Sequence, residues 1–98
     1  MSYTITLEDP PKELTDARRA EAVRRFQSTL ERALDGPESV VTAYRAWQTA
    51  EDSSESEMSA TDVAQAKRWI AAASRARADG LRDLGDDEQS YFELRVAR

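Results

Sequence analysis

The chain has 98 residues, 40% hydrophobic and 34% charged, with a formal net charge of −5 and Cys and His counts of 0. That length fits one small domain spanning residues 1–98, and a charged share above the usual ~25% describes a well-solvated surface. Without cysteine there are no disulfides, thiol nucleophiles or cysteine zinc sites; without histidine the commonest general base and metal ligand are gone.

Residues 2–8 alternate, with Tyr3, Ile5 and Leu7 on one face and Ser2, Thr4, Thr6 and Glu8 on the other. This period of two predicts a half-buried strand. Asp9-Pro10-Pro11 ends it, because proline cannot donate to a ladder and restrains the residue before it. The same segment lacks the basic and apolar regions of a secretory leader, so the cytoplasm of a bacterium or a phage-infected cell is the expected location. No apolar run approaches the ~18–20 residues that cross a bilayer, so no membrane partner is expected.

Thr15 is the expected N-cap of a long helix reaching about Leu34, with Val23, Phe26, Leu30, Ala33 and Leu34 as its apolar stripe. Asp35-Gly36-Pro37 is stop-and-restart punctuation, with the glycine left-handed and the proline in the next first turn. The second helix is expected from Pro37 to about Ala50, facing inward with Val40, Val41, Tyr44 and Trp47. Residues 51–58 are acidic and polar and predict a mobile loop.

Ser59 is the expected cap of a third helix, with Asp62 at the capping-box position and Met58 and Val63 as a hydrophobic staple. That helix would reach about Ala78 and bury Val63, Ala66, Ile70 and Ala73, leaving Trp69 at the edge and Gly80 as terminator. Residues 85–89 read as a turn, and residues 91–97 alternate again, with Phe92, Leu94 and Val96 facing one way. Two strands bracketing three helices predict an α+β fold of order β-α-α-α-β, the helices on one face of a small sheet formed by the terminal strands. Both strands would be edges, open to pairing with a second copy or another protein.

Acidic residues are unevenly placed. Residues 51–62 and 83–88 together carry −9, leaving +4 on the rest of the chain. Among them Glu55, Glu57, Asp86, Asp87 and Glu88 are candidate contacts to a basic partner protein, since charge complementarity speeds and specifies association. They are not a metal site: the window from Asp79 to Ser90 puts Leu81 and Leu84 at a ligand position and the glycine position of a calcium loop. Trp69 and Tyr91 join the candidate partner-binding set as aromatics that can anchor an interface, while Tyr44 and Trp47 at helical spacing belong to the core.

Arg18, Arg25 and Arg32 recur every seven residues along one flank of the first helix, where a row of phosphates or carboxylates could meet them. Glu21 and Asp35 lie within helical pairing distance, so this is foremost a solvated face. Arg19 falls on the apolar face of its helix and Arg77 at the end of the third, positions from which a long side chain snorkels outward. The third helix carries Lys67, Arg68, Arg75 and Arg77, but an acidic total disfavours direct nucleic-acid binding.

No phosphate loop, nucleophile elbow or dinucleotide fingerprint is present, and no cofactor is implied. The expectation is a non-enzymatic, acidic protein-binding module, an inhibitor or adaptor directed at a basic, nucleic-acid-handling protein. An assembly protein that oligomerises through its strand edges is the alternative, and a small DNA-binding regulator the third.

Overall fold

The structure, a computed structural model, describes residues 2–52, 58–82, 84 and 90–97. Strand β1 (Ser2–Glu8) is followed by helices α1 (Asp16–Leu34), α2 (Pro37–Asp52) and α3 (Ala60–Gly80), and strand β2 (Tyr91–Ala97) closes the sequence of elements. The strands pair antiparallel, a sense their sequences leave open, with Tyr3 opposite Val96, Ile5 opposite Leu94 and Leu7 opposite Phe92. Directly opposed residues share a face. This register therefore gathers all six apolar side chains on the side the helices cover, and the expected β-α-α-α-β fold is the one observed.

Both ends of α1 are capped as the residue types allow. The Thr15 hydroxyl accepts the Arg18 amide at 3.2 Å. At the other end the left-handed residue is Asp35, at φ 64°, with Gly36 also positive at 113°; the expected glycine stop is thus a two-residue turn. Aspartate tolerates that region better than most residues. Both amides of the turn donate to the Glu31 carbonyl. Pro37 then opens α2. That helix continues two residues past the expected Ala50, because neither glycine nor proline stops it before Ser53. Residues 51 and 52 are therefore helical, and residues 53–57 of the expected loop lie outside the described residues.

Helix α3 starts at its predicted cap, the Ser59 hydroxyl accepting the Asp62 amide at 3.1 Å. Its buried face differs from the expected one. Ala66, Trp69, Ala72, Ala76 and Gly80 are buried, whereas Ile70 is 56% exposed. α3 packs against both α1 and α2, so it turns its small residues inward, where they admit two neighbours closely. The larger indole of Trp69 is buried in preference to the Ile70 side chain, removing more apolar surface from water.

Gly80 is likewise not a left-handed stop. It ends α3 under the Phe92 ring, and a β-carbon there would lie 2.8 Å from that ring and 3.2 Å from the Ala22 carbonyl oxygen. The ring cannot swing away freely, since it stacks on Phe26 at 4.3 Å between centroids. One apolar cluster joins Ile5 and Leu94 of the sheet to Phe26, Leu30 and Leu34 of α1, Val40 and Ala43 of α2, and Trp69, Ala72 and Ala76 of α3.

Polar ties close this core where the elements meet. Tyr3 donates to Glu31 at 2.6 Å, fixing β1 to α1. Thr29 donates to Asp79, linking α1 to α3. The buried Ser90 hydroxyl donates to the Asp9 carbonyl at 2.8 Å, joining the end of β1 to the start of β2. Arg19, as its position on the wheel requires, reaches out of the apolar face and donates to the Leu7 carbonyl at 2.6 Å.

Gly80→Ala should destabilise the fold by about 1–3 kcal/mol by overpacking, whereas the same change at a free helical position would stabilise by ~1 kcal/mol. Chemical denaturation reads the sign, and Phe92→Leu in the Gly80→Ala background should recover part of the loss. Burial first, then the bond to Glu31 and its charge, raise the Tyr3 pKa above its ordinary 10.0. The folded state therefore favours the neutral phenol: this contribution is complete below pH 10.0 and fades as pH rises above it. Tyr3→Phe should cost about 1 kcal/mol at neutral pH. Thermal melts should show the variant losing less stability than the parent above that pH.

Candidate functional site

A two-stranded sheet has no interior strand, so β2 has one edge that β1 does not pair. Beside it runs an apolar groove of about 330 Å³. That is the lower end of the ~300–1,000 Å³ typical of ligand pockets. Three helices and one strand build it. Tyr44 and Trp47, three residues apart, line it from α2; Trp69, Ala73 and Arg77, at steps of four, line it from α3. Residues 91–94 of β2 form the remaining wall, and Phe26 of α1 lies beneath. No β1 residue takes part.

The aromatic rings hold one another in place. Tyr44 meets Trp69 edge-on at 5.0 Å, and Trp47 lies 5.8 Å from Tyr44 and 6.2 Å from Trp69. Such contacts add to area burial and fix the rings, so the groove is a preformed surface. Its polar groups are Arg77, Glu93 and the tyrosine hydroxyls. Arg77 donates to the Ser90 carbonyl at 3.2 Å, immediately before β2. The Tyr44 hydroxyl accepts from Gln48 at 3.1 Å, and its pKa is raised, first by burial and then by the negative charge of Glu93. The lining supplies apolar faces, two opposite charges and phenol hydroxyls. It can hold apolar side chains while the strand edge bonds a backbone.

The residues singled out from sequence are dispersed. Trp69 is 6% exposed and belongs to the core; its expected place at the edge of the stripe is corrected, and it reaches the groove only as wall. Tyr91 is 48% exposed on the lip of the same groove, which keeps it available to a partner. Glu55, Glu57, Asp86, Asp87 and Glu88 lie outside the described residues.

On α1, Arg25 pairs with Glu21 at 2.9 Å. Arg25 and Arg32 line a shallow depression that also holds the carboxylates of Glu21 and Asp79, so the face is of mixed charge. Arg18 is exposed on the same helix but outside that depression. Asp35 faces Arg68 of α3 at 3.8 Å, in place of the expected local pairing with Arg32. Among the described residues no three acidic side chains gather as a metal-ion site would require, and no helix is long and apolar enough to cross a membrane.

Every groove residue other than Trp69 and Tyr91 is one that sequence reasoning did not assign to a site. Periodicity placed Phe92 on the buried strand face and Ala73 on the buried helix face, which describes a core. That the helices leave space beneath β2 follows only from where the three axes lie.

Tyr44 should ionise above the ordinary 10.0. Glu93→Gln should bring its midpoint down part of the way, since burial is the larger cause. NMR titration of ring-labelled tyrosine measures both; an unchanged midpoint in the variant would separate Glu93 from Tyr44. No protein-family model, characterised protein or solved structure matches this chain, so what the groove does is read from its own chemistry.

Proposed function

We propose that the chain is a non-catalytic protein-binding module, an adaptor or inhibitor, that takes an extended segment of polypeptide alongside β2. One observation carries this: the edge of β2 that is unpaired among the described residues runs beside a preformed aromatic groove. In strand addition the backbone edge supplies hydrogen bonds, and alternate side chains of the incoming strand drop into pockets beside it. Tyr91, half exposed at the lip, would close over the bound segment.

A capped peptide alternating valine with lysine and glutamate is a direct probe. Its binding should change Trp47 and Trp69 fluorescence and slow amide exchange along β2. Ala73→Arg, which puts a charge on the half-buried groove floor, should weaken that binding about tenfold or more while leaving the circular dichroism spectrum unchanged. Equal binding by parent and variant would remove the groove from the function.

A further inference from the structure

We infer that the strand fitting beside β2 is β2 of a second copy, paired antiparallel about a two-fold axis at Leu94. This names the partner for the strand-addition function proposed above and rests on it.

The argument is one of register. β2 reads Tyr91-Phe92-Glu93-Leu94-Arg95-Val96-Ala97, with the apolar side chains on the helix-covered face and Glu93 and Arg95 on the other. Only registers that keep like faces together are admissible, since a slip of one residue turns the apolar set outward. Of these, an axis at Glu93 sets two carboxylates against each other, and an axis at Arg95 sets two guanidinium groups together. An axis at Phe92 leaves Arg95 without an opposite charge. With the axis at Leu94, Glu93 lies opposite the partner's Arg95, and the symmetry makes that pair twice. On the other face Phe92 meets the partner's Val96 twice and Leu94 meets the partner's Leu94. Opposite charges directly across a ladder stabilise it and like charges destabilise it.

Two further features favour this edge. Glu93 and Arg95 are at present joined along their own strand at 3.4 Å, with Arg95 75% exposed. Such a surface pair is weakly held and can exchange for a cross-strand one. The other edge of the sheet is less available, because the Arg19 guanidinium already occupies the Leu7 carbonyl of β1 and the groove borders β2 alone. The product would be a four-stranded antiparallel sheet, β1-β2-β2-β1, with the two grooves meeting beneath its central seam.

Charge exchange tests the register. Sedimentation velocity over a concentration series should show the parent in monomer–dimer equilibrium. Arg95→Glu and Glu93→Arg should each weaken self-association about tenfold or more, because each sets like charges across the axis. Mixing the two single variants should restore the dimer as a heterodimer, and the double variant E93R/R95E should dimerise as the parent does. Arg95 is exposed and Glu93 lies at the groove wall, so melting curves close to the parent's will show for each variant that the fold is kept. Undiminished dimerisation of Arg95→Glu, or a parent that stays monomeric throughout, would overturn the inference. A monomeric parent that still binds the alternating peptide would leave the strand-addition function standing with a different partner; a monomer that binds no peptide would remove both.

Discussion

A sheet of two strands buries one face only if something else covers it, and it cannot cover its own edges. Here the two strands are the first and last of the described elements, so their pairing is the longest-range constraint among them. The register decides the rest. With Ile5 opposite Leu94 and Leu7 opposite Phe92, one face is continuous and apolar, and the three helices have a single surface on which to pack. The tie from Ser90 to the Asp9 carbonyl sets where that pairing begins. The Phe26–Phe92 stack carries the register into the helical layer. An open edge and a groove beside it are the remaining consequence of having two strands for three helices.

Helix α3 shows how the packing is achieved. It lies against both other helices, and a side facing two neighbours must be lined with small residues. Ala66, Ala72, Ala76 and Gly80 provide that side, and Trp69 is the one large side chain buried along it. The aromatic cluster of Tyr44, Trp47 and Trp69 is thus structural on its inner side and forms the groove wall on its outer side. Stability and binding surface share these rings.

Element order, both strand faces, the caps at Thr15 and Ser59 and the α+β class were legible in the sequence, because each rests on a local period or on a short-range hydrogen bond. The terminus of α2, the face of α3 and the role of Gly80 were not. Period alone finds Val63, Ala66, Ile70 and Ala73 as a stripe, since it assumes one neighbour; the second neighbour rotates the buried side toward Trp69 and Ala72. Gly80 read as a helix stop because glycine often is one, while its actual reason, the Phe92 ring overhead, lies twelve residues along the chain. For the site, sequence named Tyr91 and Trp69 among its contacts, and the structure puts both on one groove. The groove itself was not legible there, because an unfilled space leaves no mark on hydrophobic periodicity.

The outer edge of β2 can be observed directly through its amides. In a two-stranded sheet the amides of β2 alternate between bonding β1 and pointing away from it. Amide exchange by NMR over a concentration series separates the two sets. If the edge of β2 is a pairing surface for a second strand, the outward amides between Tyr91 and Ala97 slow as concentration rises and approach the protection of the inward ones. If they exchange at an unprotected rate at every concentration, while the inward amides stay slow, no strand of a second copy pairs there.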